Sequence, residues 1–551
     1  MLVNYYFILK YIYKFRYRFL SNLNYELLRT EFILVTRSTL DLLCVKSEFR
    51  ALILGVALLS SLRVQADDAK APLNIGTRLE IFVDQFLIDR LDGTRLKLSE
   101  PKQAGVAILF NDSWDGACSG YATILQDKGT YRMYYVGLPM DDKDEEAGSF
   151  VCYAESNDGI KWVKPSLGLT EYRGSKKNNI LFLGNKNEPY AVNFSPFIDT
   201  RPGVPASERY KAVGGSWPKG MFVLVSDDGL RWQKWREAPV FSNGAFDTQN
   251  VAFWSEAESC YVLYFRVFTG TTDYVGQRKW GISGYRTIAR TTSPDLVNWS
   301  EPRRMSFGSA PIEHFYTNHT RPYFRAPHIY TAMPMRFVPG RRFLTNEQLA
   351  DLQVVPHYLN IKGNTHNIPL EVSDTVLLTS RGGSRYDRTF MEAFIRPGLD
   401  EANWVSRNGI PATGMIQTGA AEMSIYVAQH YAQPTAYMGR FTLRLDGFAS
   451  VNAPYAGGEM VTKVMIVTGS ELVLNCATSA PGSVRVEVQT PDGDPIPGFT
   501  LAESKEFVGD SIEETVQWKL GPSLSALTGK PVRLRFVMKD ADVYSLRFRS
   551  R

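Results

Sequence analysis

The stretch Ser156-Asn157-Asp158-Gly159-Ile160-Lys161-Trp162 decides the fold, because it returns as Ser226-Asp227-Asp228-Gly229-Leu230-Arg231-Trp232 and again as Ser293-Pro294-Asp295-Leu296-Val297-Asn298-Trp299. The first serines stand 70 and then 67 residues apart, and a degenerate copy without the tryptophan begins at Ser373-Asp374, a further 80 on. Each copy reads as a turn between outer strands: Ser and Asp oxygens bond nearby backbone amides, Gly supplies a positive φ, and Trp folds back to pack between adjacent sheets. A period of about 70 residues is too long for common solenoids and suits a four-stranded blade with generous loops.

Around these turns helical periodicity is scarce, and short apolar or aromatic runs such as Tyr131-Arg132-Met133-Tyr134-Tyr135 and Tyr261-Val262-Leu263-Tyr264-Phe265 read as strands. Five blades need roughly 350 residues, and 76–440 supplies them. The blades are expected from Trp114 to Trp162, Asn193 to Trp232, Asp247 to Trp299, Glu313 to about Ser380 and Phe390 to about Arg440, with Leu79–Asp84 closing the ring. In 441–551 the alternation changes, with Val484, Val486 and Val488 against Arg485 and Glu487, and Val532, Leu534 and Phe536 against Arg533 and Arg535. The expected fold is therefore all-β, a five-bladed β-propeller followed by a C-terminal β-sandwich.

Of 551 residues, 44% are hydrophobic and 22% charged, a globular composition. The formal charge of +5 sits wholly in residues 1–66, which leaves the remainder with 53 basic and 53 acidic groups. A neutral body argues against a nucleic-acid partner. Lys46 and Arg50 precede the apolar run Ala51–Leu59, and Val64-Gln65-Ala66 follows. That layout is a secretory signal peptide cleaved after Ala66, too short for a membrane span, so the mature protein is expected to be secreted or periplasmic with no stable membrane span. Translation is expected to begin near Val45. Cys118, Cys152, Cys260 and Cys476 show no metal-finger spacing and read as buried free thiols.

Further motifs are Phe82-Val83-Asp84, Glu208-Arg209-Tyr210-Lys211, Phe246-Asp247-Thr248-Gln249-Asn250-Val251, Pro322-Tyr323-Phe324-Arg325-Ala326-Pro327 and Arg444-Leu445-Asp446-Gly447-Phe448. With the blade repeat, they resemble the secreted bacterial five-bladed propeller glycosyl-hydrolase-like proteins, of the invertase, arabinofuranosidase and xylosidase clan (families 32 and 43). The resemblance covers 75–551 and implies a glycoside hydrolase. The invertase nucleophile motif Trp-Met-Asn-Asp-Pro-Asn-Gly is absent, and Glu258-Ser259-Cys260 only imitates the Glu-Cys motif.

Glycoside hydrolysis needs two carboxyls, and acids just before the innermost strand of each blade can converge on a central funnel. Asp115 and Asp247 are the candidates for base or nucleophile and pKa modulator, and Glu313, beside aromatic residues, for the acid. Glu392 and Glu422 rival Glu313 as acids. Gln249, Asn250, His314, Tyr316, Asn318 and Arg388 complete the candidate substrate-binding set, although Arg388 reads more readily as a structural ion pair. Asp199 reads as a turn residue. His314, His319 and His328 lie within 15 residues, but their spacing fits no zinc motif, so no metal and no cofactor are expected, structural calcium being the one ion left open. The expected partner is a carbohydrate substrate of an exported glycoside hydrolase. The alternative is a non-catalytic carbohydrate-binding propeller.

Overall fold

Three copies of one hydrogen-bonded turn set the spacing of the sheets. In the computed structural model Ser156 Oγ accepts from the Gly159 amide at 2.9 Å, and Asp158 Oδ1 accepts from the Ile160 and Lys161 amides at 2.7 and 2.8 Å. Trp162 Nε1 closes the turn by donating to Gly159 O at 3.2 Å. The same bonds recur around Asp228 and Trp232, and around Asp295 and Trp299. Backbone amides aimed at the carboxylate favour its charged form, which holds Asp158 below the usual carboxyl range and Asp295 down to about 2.

The structure describes residues 71–139, 149–184, 190–191, 193–270, 284–355, 371–519 and 523–550; the signal peptide read from the sequence lies outside them. Leu73–Arg551 is one compact unit. Among the described residues, no helix is long and apolar enough to cross a membrane.

Four antiparallel sheets have four strands each, and three of these follow the chain directly. The first holds Gly120–Asp127, Thr130–Gly137, Phe150–Ser156 and Ile180–Leu183; the second Ser195–Ile198, Tyr210–Ser216, Gly220–Ser226 and Gln233–Lys234; the third Val251–Ser255, Cys260–Phe268, Arg286–Ser293 and Arg303–Arg304. A fourth unit is broken into two three-stranded pieces, Arg321–Tyr323 with Ala326–Ala332 and Leu378–Ser380, and His314–Phe315 with Met335–Val338 and Val372–Thr375. The fifth pairs Ile416–Gln417, Glu422–Gln429 and Tyr437–Arg444 with Lys102–Leu109.

Contacts link these units in cyclic order. Trp232 of the second sheet meets Tyr134 of the first edge-on with centroids 6.2 Å apart, Trp299 meets Phe241 beside the second at 5.9 Å, and Trp162 of the first meets Tyr426 of the fifth at 5.4 Å. Phe253 of the third packs on Tyr330 of the fourth at 5.3 Å. Ser373 and Thr375 of the fourth donate to Asn408 O and Gly409 O, on the approach to the fifth, at 2.7 and 2.8 Å. The repeated tryptophans thus serve inter-sheet packing.

One expectation needs correction. Leu79–Asp84 does not close the ring: Glu80–Ile81 pairs with the last strand, Pro531–Arg549, and the closing strand is Lys102–Leu109, in register Met438↔Ile108 and Gly439↔Val106. The remaining strands form a nine-stranded sheet around two 19-residue strands, Glu471–Gln489 and Pro531–Arg549, and it also takes in Ile88–Asp92 and Arg95–Leu98 from ahead of the first sheet. The period-2 alternation places Val532, Leu534, Phe536 and Met538 in one apolar cluster with Val484, Val486 and Val488.

Candidate active site

The leading strands of the five units carry three successive levels of side chains. At the first level stand Tyr121, Asp247, Tyr316 and Arg407, from units one, three, four and five, with Arg266 and Arg286 from the third sheet between them. Tyr316 is the hub. The Arg266, Arg407 and Arg286 guanidinium carbons lie 4.8, 5.2 and 5.9 Å from its ring centroid, distances typical of cation–π contact. Arg266 donates to Asp247 Oδ1 at 2.7 Å and to Tyr316 O. The Tyr121 phenol bonds that of Tyr316, and burial first, then its Tyr316 neighbour, pushes it well above its ordinary value.

Glu371 joins this level from the start of the strand Val372–Thr375. Ser406 Oγ donates to Glu371 Oε2 at 3.0 Å. Burial raises the Glu371 carboxyl above its ordinary value against the opposing pull of Ser406, Arg286 and Arg407. Asp247 differs in setting, with 42% of its side chain exposed. Arg286 feels both carboxyls, yet burial and the Arg266 charge leave its pKa lowered, and its Nε finds no acceptor. His314 accepts from the Arg286 amide at 3.2 Å; burial, then Arg286 and Arg266, pushes its pKa down to about 4. An arginine-rich, aromatic cluster with one buried and one half-exposed carboxyl has the groups to meet an anionic, polyhydroxylated ligand and to move a proton.

The second level is a hydrogen-bonded plug. Gln249 Nε2 donates to Tyr121 O and Thr123 Oγ1 of the first sheet and to Phe194 O ahead of the second, at 2.8, 3.2 and 3.2 Å. Thr413 of the fifth unit donates to Gln249 Oε1 at 3.3 Å, and His319 of the fourth bonds Thr413 Oγ1 at 2.8 Å. Thr123, Phe194, Gln249, His319 and Thr413 are all at most 2% exposed. One residue from each unit therefore meets at a common centre. Four non-glycine residues around it have positive φ, namely Tyr121 (46°), Phe246 (57°), His319 (49°) and Arg407 (60°). Such strain persists only where the surroundings enforce it, and it clusters at functional sites. Beyond the plug lies a chamber, the third level.

The sequence-derived candidates separate accordingly. Asp247, His314 and Tyr316 stand in the first level. Asp115 does not: it is fully buried within the first sheet, where Lys164 Nζ and Tyr135 OH bond its two oxygens, although burial still raises its pKa. Glu313 accepts from Arg336 at 2.8 Å and Arg388 at 3.1 Å, in an ion cluster shared with Asp374. Both Glu313 oxygens are thus taken up by guanidinium groups rather than set among aromatic residues as expected of the acid, and Arg388 takes a structural role. Gln249 and Asn250 are fully buried and spend their amides on the protein, Asn250 on Thr248 O and Phe246 O, so neither reaches a ligand as expected. Asn318 is buried and caps the Thr320 amide. Glu422 is tied to Arg440 and Thr418 at its strand start, and Glu392 is exposed on a turn. Asp199 accepts from Tyr261 at 2.6 Å and pairs with Lys211 at 2.9 Å. His328 bonds Glu80 at 3.1 Å, away from His314 and His319, and no cluster of three His, Cys, Asp or Glu suited to a metal occurs among the described residues.

Arg266, Arg286, Arg407, Tyr121 and Glu371 escaped the sequence reading. One signal for them was present: Arg266 is a lone charge within the otherwise apolar run Tyr261–Phe268.

No family model matches the chain, and no curated protein does. Among solved structures it is similar to a family 43 arabinoxylan arabinofuranohydrolase from Bacillus subtilis in complex with cellotetraose, at 11% identity over 81% of this chain and 99% of that one, TM-score 0.38. It is similar also to a fructofuranosidase from Schwanniomyces occidentalis complexed with fructosylnystose, at 10% identity over 81% and 98%, TM-score 0.36. An N-acetylgalactosamine deacetylase from F. plautii matches at 11% over 64% and 96%, TM-score 0.39. At such values the reading of this chain rests on its own residues.

Proposed function

We propose that the chain is an exported glycan-acting hydrolase in which a five-bladed β-propeller, with a C-terminal β-sandwich as accessory module, binds an anionic saccharide in the basin around Tyr316. The observation that carries this reading is the pair of unlike carboxyls flanking Arg286: Glu371, buried and raised, and Asp247, half exposed and paired with Arg266. Unequal settings divide the acid and base roles of glycoside hydrolysis. Glu371 is assigned as proton donor to the leaving oxygen and Asp247 as base or nucleophile. Arg286, with its orphan Nε, and Arg407 hold the substrate's negative charge, and the Tyr121 and Tyr316 rings offer it an apolar face. Cyclic contact among five sheet units and the five-residue plug support the propeller assignment.

A second reading, the non-catalytic carbohydrate binder, is favoured by the engagement of Asp115 and Glu313 in ion pairs. Reducing-end release from acidic polysaccharides such as polygalacturonate distinguishes the two. The hydrolase reading expects wild-type turnover and a fall of about 10²-fold or more in kcat for Glu371→Gln and Asp247→Asn, with binding retained. Retained polysaccharide binding without any turnover by the wild type would install the binder reading instead.

A further inference from the structure

Behind the plug, the third level of the leading strands lines a chamber of about 360 Å³. Its walls come from all five units, among them Ile124, Phe197, Trp254, Arg321 and Met415, and its volume suits a ligand of monosaccharide size. Arg321 is the unusual member. Its Nη1 and Nη2 donate to Ala252 O at 2.9 Å and Pro196 O at 2.7 Å, both neutral acceptors. Burial alone, with no carboxylate opposing it, pulls its pKa down to about 9. Arg321 keeps part of its surface open to the chamber, and an arriving anion there supplies the counter-charge that its two neutral acceptors do not.

His319 stands near Arg321 as a neutral neighbour. Because the Thr413 hydroxyl donates to Gln249 Oε1, Thr413 Oγ1 accepts from His319 Nδ1, so Nε2 carries a lone pair. That Nε2 is unpartnered but sealed off, so it makes no ligand contact, although the residue lines the chamber. Burial first, and then Arg321, hold the imidazole neutral, with its pKa pushed down to about 3. Arg321 thus offers charged donors within mostly apolar walls, and the neutral His319 adds no second cation beside it. Glu256 is the acid of the lining, exposed at the rim.

We infer that this chamber is a second ligand site, separated from the basin by the plug, that takes a small carboxylate, held by Arg321. The positive charge of Arg321 opposes a metal cation at the same place. The site stands whether or not the basin hydrolyses glycans.

Isothermal calorimetry on the full chain tests this with D-glucuronate, D-glucose and calcium chloride as probes. Glucuronate is expected to bind at least about tenfold more tightly than glucose, the margin of one charge-assisted hydrogen bond, and Arg321→Gln to remove that margin. Since Arg321 is deeply placed, Glu256→Lys at the rim provides a second reading that leaves the buried wall untouched: it is expected to tighten glucuronate binding severalfold, less so at high salt. Arg286→Gln separates the two sites, because it weakens binding in the basin and leaves the chamber unaffected. Equal affinity for glucose, calcium binding that Arg321→Gln strengthens, indifference to Glu256→Lys, or a loss produced only by Arg286→Gln would each overturn the inference.

Discussion

His319 shows how a single side chain couples the centre of the molecule to pH. Its imidazole is 1% exposed and neutral, with a pKa near 3 against 6.5 for the free group. As pH falls below 6.5 the unfolded chain takes up the proton and the folded one does not, so the stability is fully present above that value and declines towards pH 3 at about 1.4 kcal/mol per unit. His314, lowered to about 4, acts in the same direction. Denaturant unfolding of wild type and His319→Gln at pH 7.5, 6 and 5 is expected to give a stability gap that shrinks with acid; a constant gap would mean that the folded protein protonates His319. Glu371 has the opposite sign, a raised carboxyl whose proton is lost as pH rises. Hydrolysis of acidic polysaccharide is therefore expected to have an alkaline limb set above the ordinary carboxyl range, absent in Glu371→Gln. At this scale the sequence picked out Asp247, His314 and Tyr316, which the structure brings into one cluster, because Asp247 stands directly ahead of the apolar strand Val251–Ser255 and the other two open the fourth unit. It marked Arg388 as an ion-pair residue but gave no sign that Glu313 would be its partner or that Arg336 would join them, since those contacts join residues 75 and 23 positions away.

The repeated turn was the most legible element, because every bond that makes it falls within seven residues. Its glycine is under two constraints of different origin. Gly159 has φ 69°, and a Cβ there would come within 2.6 Å of Ile416 Cδ1 and 2.9 Å of Thr418 Cγ2, side chains of the fifth unit. Leu296 occupies the equivalent position at φ 67° and buries its side chain against the second and third sheets. Left-handed backbone alone is thus affordable for leucine, and the close approach is what demands glycine at 159. Gly159→Ala is expected to cost about 1–3 kcal/mol, read as a lowered unfolding midpoint, and Gly229→Ala likewise, since its Cβ would meet Tyr134 Oη and Arg132 Nη1 at 2.7 Å. A loss confined to Gly159→Ala would place the constraint in the first turn only. The fourth unit was the least legible: its strands break at Met333-Pro334 and Val376-Leu377, so neither a full-length alternation nor a tryptophan marks it.

Over the whole molecule, the chain weaves the two parts of the fold together before either is complete. Glu80–Ile81, Ile88–Asp92 and Arg95–Leu98 join the C-terminal sheet, and the next strand, Lys102–Leu109, closes the fifth unit beside Tyr437–Arg444. Pairings across more than 300 residues leave no periodic trace, which is why the sequence suggested the wrong closing strand. Ion pairs reinforce the weave: Arg381 reaches Glu80 and Asp84 at 2.8 Å each, and Arg325 meets Asp446 at 3.0 Å. Burial works against the Glu80 charge, but His328 and Arg381 prevail and hold its pKa below the ordinary value. One short N-terminal segment therefore supplies neighbouring strands to the C-terminal sheet and to the fifth unit, and pulling it from either exposes an edge. Calorimetry is expected to show one unfolding transition rather than two, and Ile108→Ala, which removes a buried side chain from the closing strand, to lower that single transition by about 2–5 kcal/mol of stability. Two resolved transitions, with Ile108→Ala shifting only one, would show that the strands ahead of the first sheet join two independently stable bodies instead of knitting one.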